Sequence, residues 1–327
     1  MTYGPCSGLR SETECEIPGV TCPFVGHSSV PGWAGAAPTQ SVTSPAGRVF
    51  LGKMSRRPVI VTDIPTVPLH ADSIAEIAAL IGDKADAVLI GDHGGARVQF
   101  PPAYRAMLMR QAGLEAWVGF NCRDRNRVAL ESEAAALAHL GVAGVNVVTG
   151  DHTMSGHRSD AKPVFDLDST RLASLARAAG LLVSVGENPI APPTHLRAAR
   201  LAEKVRAGAH LCFVNLPHST ELVLEFRQAV LEQGVDVPFI VGIPVITSVG
   251  AAEAMMGFQG LRLPNGFLNR ILNAANPRLE GIRAAVEHAE KMLEVPGVRG
   301  LNLSGPAAPG EEHAMARDFA EVGAAFL

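Results

Sequence analysis

The chain has 327 residues, 47% of them hydrophobic, enough for one large domain or two ordinary ones, and a net charge of -4. Signs are mixed throughout, and Arg123, Arg125 and Arg127 are offset by Asp124, so no basic face for nucleic acid stands out. No apolar run reaches the roughly 18 residues of a membrane span, and polar and cysteine residues stand where a signal peptide has its apolar core, so a cytoplasmic protein is expected.

Residues 1–50 are rich in Gly, Pro and Ser, hold three of the five cysteines and show no sustained period. They read as a small irregular segment with little core of its own, which something else must order. An odd number of cysteines in such a chain argues for thiols or metal ligands over a disulfide framework. From Pro58 onward, within a second unit spanning 51–327, short β-branched runs alternate with segments of helical period. Candidate strands are Val59–Thr62, Ala87–Ile90, Trp117–Phe120, Val145–Thr149, Leu182–Val185, Leu211–Val214, Phe239–Val241 and Gly300–Leu303. Candidate helices lie near 72–81, 102–112, 124–140, 168–179, 194–207, 219–233, 248–293 in pieces broken at Pro264 and Pro277, and 311–325. Strands apolar on both faces, each followed by a helix, imply a parallel sheet covered on both sides, and eight such units are the count that closes a (β/α)8 TIM barrel of the α/β class. An open doubly wound sheet is the alternative, but Gly91-Asp92-His93-Gly94-Gly95 has neither the dinucleotide spacing nor a phosphate-loop ending.

In such a barrel the chemistry sits just past each strand. Those positions hold Asp63, Asp92 with His93, Asn121 with Cys122 and Arg123, Asp151 with His152, Glu187 with Asn188, Asn215 with His218, Ile243 with Pro244, and Ser304. Taken singly, an Asp or Asn there has a plainer reading as the cap of the next helix. The ring as a whole is unusually polar.

Cys122-Arg-Asp-Arg-Asn-Arg, then Gly-Val-Asn-Val-Val-Thr-Gly-Asp151-His152, then Ala-Lys-Pro-Val-Phe-Asp-Leu-Asp resembles methylenetetrahydrofolate reductases, most of all the shorter acetogen type. Asn188-Pro189, Lys204-Val-Arg-Ala-Gly-Ala209, Gly242-Ile-Pro-Val245 and Gly260-Leu-Arg-Leu-Pro264 extend the resemblance over about 58–305. It implies a flavoprotein, with FAD or FMN, that reduces 5,10-methylenetetrahydrofolate to 5-methyltetrahydrofolate in one-carbon metabolism. By the same resemblance Asp151 lies beside the flavin ring as a catalytic carboxylate. Asn121, Cys122, Arg123, Thr149, Gly150, His152, Asn188 and Lys204 line the cofactor, Lys204 as a phosphate partner. Two departures bear on the reaction. The family's general-acid Glu after the first strand is Asp63 here, about 1.5 Å shorter in reach, and the Thr-Gln after the sixth is Asn215-Leu216. Asn215 keeps an amide toward the folate, and His93 is a candidate compensating donor. A folate methyl or methylene transferase without redox chemistry is the alternative that these departures motivate.

Cys6, Cys15 and Cys22 resemble the cysteine motif of the metal-binding partner subunit of acetogen-type reductases. With His27 they would make a tetrahedral zinc site or hold an iron–sulfur cluster. A non-catalytic cluster-bearing scaffold subunit is the further alternative from this segment, and a homo-oligomer or an electron-donor partner protein is left open by the sequence.

Overall fold

Eight short strands lie side by side, all parallel and in chain order: β1 (Val59–Asp63), β2 (Ala87–Ile90), β3 (Ala116–Asn121), β4 (Gly144–Val148), β5 (Val183–Glu187), β6 (Leu211–Val214), β7 (Phe239–Pro244) and β8 (Val298–Ser304). Strand β8 pairs back onto β1 through Val59–Gly300 to Thr62–Leu303, so the sheet closes into the (β/α)8 barrel. The computed structural model describes all residues except 9, 10, 12, 93–95 and 257–260.

Closure follows from the alternation of side chains along each strand. Val59, Val61, Leu89, Trp117, Phe213 and Ile240 form the barrel interior, while Ile60, Val88, Val118, Val145 and Val241 belong to the larger core under the helices. Inside, the Trp117 indole N–H donates to the Ser184 hydroxyl at 3.0 Å, so the one polar atom of the largest interior ring is satisfied.

The outer layer comprises α2 (after α1, Pro45–Met54) at Ala71–Ile81, α3 (Pro102–Gln111), α4 (Arg127–Leu140), α5 (Ser169–Ala178), α6 (Arg197–Ala207), α7 (Thr220–Glu232), α8 (Val249–Met256), α9 (Phe267–Leu272), α10 (Pro277–Leu293) and α11 (Glu312–Ala324). In α2, Ile74, Ile77, Ala78 and Ile81 recur at three- and four-residue spacing and all are buried against the sheet. Helix α4 starts after an Asn126 side-chain cap and stops at Gly141, whose φ of +67° is the left-handed turn that glycine adopts freely. The break expected at Pro277 is the start of α10, where the proline stands at a position that needs no backbone N–H, behind the Asn276 cap. None of the described helices is long and apolar enough to cross a membrane.

Helix α1 begins inside the stretch read as irregular. Ser44 caps it and Pro45 opens it, and it closes the N-terminal end of the barrel by packing Phe50 against Trp117, ring centroids 4.7 Å apart and tilted by 55°. Among the described residues before it, the regular pairing is an isolated bridge between Glu14 and Thr21. The barrel orders them. Asp168 accepts the Thr2 and Tyr3 N–H groups at 2.9 and 3.2 Å, Arg197 donates to the Pro5 and Cys6 carbonyls at 3.2 and 2.9 Å, and Glu203 accepts the Trp33 N–H.

Candidate active site at the strand C-termini

Asp63 ends β1 on the interior side of the barrel, level with Asn302 and Ser304 of the adjoining β8. Ser304 donates to one carboxylate oxygen at 2.5 Å and Asn302 to the other at 3.1 Å. Burial raises the carboxyl further than these two hydrogen bonds lower it, and its pKa stands at about 6. It borders a cavity of about 250 Å³ shared with His70, Asp92, Gln99, Phe100 and Arg105. A larger depression of about 520 Å³ lies at the opposite end, beside Ser55 and Arg299, away from the strand C-termini where barrel sites form.

Next around the ring, Asp92 accepts from the Asn121 amide at 2.6 Å and from Arg123 at 3.1 Å, and Arg123 also holds Asp124 at 3.0 Å. Asn121 and Arg123 are each 2% exposed, so both are committed to this network and oriented by it. Gly150 lets the β4 loop approach them: a Cβ there would stand 3.1 Å from that of Asn121, and φ is +87°. Thr149 is buried, with its hydroxyl 3.3 Å from that of Ser169. Cys122 is wholly buried, and burial pushes its thiol far above the ordinary range, so it is core. Asp151 stands 64% exposed, 3.4 Å from Arg97. The His152 ring stacks on Phe165, the backbone N–H of His152 donates to the Glu16 carboxylate at 2.9 Å, and burial lowers the pKa of the imidazole.

Beyond β5 the arrangement differs from what the family resemblance implies. Glu187 is fully buried and meets Lys204 and Arg200 at 2.9 Å and Arg197 at 3.3 Å. Burial raises its carboxyl, but the three cations outweigh burial and hold its pKa at about 2. The surplus positive charge is met by backbone oxygens: Lys204 donates to Gly186 at 2.7 Å, and Arg197 to Ala191, Pro5 and Cys6. Lys204 is 1% exposed, and Asn188 is turned to the Ile190 N–H at 3.2 Å. The N-terminal segment covers this cluster. A flavin phosphate therefore does not fit at Lys204 as the chain stands, because the cation is sealed and already bonded.

Asn215 is exposed beyond β6, its N–H bonded to the Glu187 carbonyl at 2.9 Å. His93 lies outside the described residues. The expected metal ligands are not assembled: among the described residues no group of three or more His, Cys, Asp or Glu could hold a metal ion. Cys22 packs with Phe24 and Leu196, and the His27 ring contacts Phe24. The order that a metal was expected to bring to this segment comes from the barrel's charged groups. Nor do the ring carboxylates cap helices; Asn126, Asp168 and Ser219 do.

Arg105, Gln99, Asn302 and Glu16 were not anticipated from the sequence. A signal existed for two of them. Arg105 shares the buried stripe of α3 with Pro102, Ala106 and Met109, a cation on an apolar face, and Asn302 alternates in step with Ser304 on β8.

A closed parallel barrel with carboxylates, guanidiniums and a cavity at the C-terminal ends of its strands has the architecture in which (β/α)8 proteins build their active sites. The family model for methylenetetrahydrofolate reductase matches residues 83–305, about two thirds of the chain, and the chain belongs to that family. Among solved structures, an uncharacterized protein from Clostridium thermocellum that binds two copies of 5-methyl-5,6,7,8-tetrahydrofolic acid is 14% identical, with 83% of this chain and 97% of that chain covered and a TM-score of 0.60. Tryptophan synthase from M. tuberculosis (15% identity, 87% and 98% covered, TM-score 0.48) and oxaloacetate acetylhydrolase (12%, 80% and 81%, TM-score 0.49) also match. With the first of these the chain shares its fold. No curated protein sequence matches it.

Proposed function

We propose that this protein is an enzyme of folate-dependent one-carbon metabolism that reduces 5,10-methylenetetrahydrofolate to 5-methyltetrahydrofolate. The observation that carries the reading is Asp63, a carboxyl with a pKa of about 6 on the wall of a cavity at the barrel mouth. A group so poised holds a proton near neutrality and can give it up. Delivered to N10, that proton opens the five-membered ring: the bond from the methylene carbon to N10 breaks, its electrons stay on nitrogen, and an iminium forms at N5. Addition of a hydride to that carbon gives the methyl product. Asp63 supplies the proton, Asn302 and Ser304 hold it in place, and the hydride comes from outside these residues. Folate as the ligand is supported by family membership and by the ligand of the C. thermocellum relative.

Family membership also supports a flavin as hydride donor, whereas the sealing of Lys204 speaks against a flavin at the implied place. That packing favours a second reading, transfer of the one-carbon unit to a nucleophile after the same proton step. Turnover of methylenetetrahydrofolate by protein as purified, and after incubation with FAD or FMN, measured with and without a hydride donor, separates them. Donor-dependent methyltetrahydrofolate supports reduction, and donor-independent loss of substrate supports transfer. No turnover under any condition ends both readings.

A further inference from the structure

The family's glutamine beyond the sixth strand is Leu216 here, and Leu216 packs against the core. The cavity beside Asp63 offers unspent hydrogen-bonding capacity for a ligand's head group. Asp92 is clamped through one oxygen by Asn121 and Arg123 at 2.6 and 3.1 Å. Its other oxygen meets Arg105 only at 3.8 Å, beyond hydrogen-bond range, and the side chain remains 23% exposed. Arg105 is itself 6% exposed and is oriented by the Gly91 carbonyl at 2.7 Å and Gln99 at 3.0 Å. Its buried Nε has no acceptor among the described residues, and an orphaned donor of this kind is costly unless a ligand meets it or its neighbours.

We propose that this cavity is a head-group subsite in which Asp92 and Arg105 read the amino, ring N–H and carbonyl edge of a 2-amino-4-oxo heterocycle. A carboxylate beside a guanidinium matches that donor–donor–acceptor sequence, the carboxylate taking the two N–H donors and the guanidinium the carbonyl. The cavity's 250 Å³ falls just below the ~300–1,000 Å³ of a pocket for a whole drug-sized ligand. It suits one bicyclic ring system with the remainder of the molecule outside. Guanine and a tetrahydropterin both present this edge. The assignment to a tetrahydropterin rests on the reduced-folate reading above, because Asp63 on the same wall is a proton donor for a folate amine.

Calorimetric titration of the full-length protein tests this with four probes: 6-methyltetrahydropterin, its analogue lacking the 2-amino group, guanosine and 5-methyltetrahydrofolate. The wild-type protein should bind the tetrahydropterin and the folate, and should prefer the 2-amino compound over its analogue by about tenfold, the size of one hydrogen bond of ~1.4 kcal/mol. Asp92→Asn should erase that preference, and Arg105→Met should weaken both intact pterins by about tenfold or more. Equal loss of the 2-amino compound and its analogue in Asp92→Asn means a structural role and overturns the proposal. So do wild-type affinities in both variants, tighter binding of guanosine than of the tetrahydropterin, or no binding of any probe by the wild type. Pterin binding that depends on Asp92 without turnover of methylenetetrahydrofolate upholds the subsite and removes the enzymatic reading. Turnover that is indifferent to Asp92 and Arg105 does the reverse.

Discussion

Replacing Asp63 by Asn should stabilise the protein at alkaline pH while removing its activity. In the folded chain the carboxyl titrates at about 6 against an ordinary 3.8, so the fold favours the protonated form. Its favourable contribution is complete below pH 3.8 and is lost as pH rises through about 6; above that, the folded state carries the cost of a buried charge. A gap of about two units corresponds to ~3 kcal/mol, and because the cavity lets water reach the carboxylate, ~1–3 kcal/mol is the expected effect. Asn keeps the oxygen that accepts from Asn302, and the Ser304 hydroxyl can turn to accept from the new amide, so little else changes. Urea unfolding of both proteins at pH 5 and pH 8 measures it: the variant should gain at pH 8 and match the wild type more closely at pH 5. Activity should fall by about 10²–10⁴-fold, the usual share of a general acid, and the wild-type rate should decline as pH rises above about 6. If the two proteins show the same difference in stability at both pH values, the account of Asp63 as a desolvated acid is wrong.

Glu187→Gln leaves Lys204, Arg200 and Arg197 buried without a counter-charge and should cost ~3–5 kcal/mol in denaturant unfolding; a loss below ~1 kcal/mol would show that backbone oxygens alone suffice. Arg197→Met removes the donor to the Pro5 and Cys6 carbonyls, so limited proteolysis should cut within residues 1–44 faster than in the wild type while the barrel fragment persists. Unchanged cleavage would mean that Asp168 and Glu203 hold the segment without it. Gly281→Ala would bring a Cβ to 2.0 Å from the Ile246 carbonyl, where α10 crosses the end of β7, and should lower stability by ~1–3 kcal/mol, read as a fall in Tm.

The barrel was legible because each strand is a short apolar run and each helix carries a three-to-four-residue stripe, signals that local sequence contains in full. Asp63 was legible too, since its place at a strand end follows from counting. What β5 and α6 do with their charges was not. Arg197, Arg200 and Lys204 share one face of α6, but that they converge on Glu187 depends on the pairing of a strand and helix whose separation sequence does not encode. The same holds for residues 1–44: three cysteines suggested a metal, whereas partners from residue 152 to residue 203 do the ordering. Helix α1 was missed for a different reason. The Gly- and Pro-rich residues ahead of it masked a ten-residue helix whose buried positions are Gly47 and Phe50, too few to show a stripe.

The anchoring of the first residues also orders events in time. Pro5 meets Arg197 across 192 positions of chain, and Thr2 meets Asp168 across 166. During synthesis the leading segment therefore meets the last of its partners only once the fifth strand and the helix after it have been made. Until then Cys6, Cys15 and Cys22 lack the packing that leaves Cys22 buried and Cys6 and Cys15 half-buried in the folded chain.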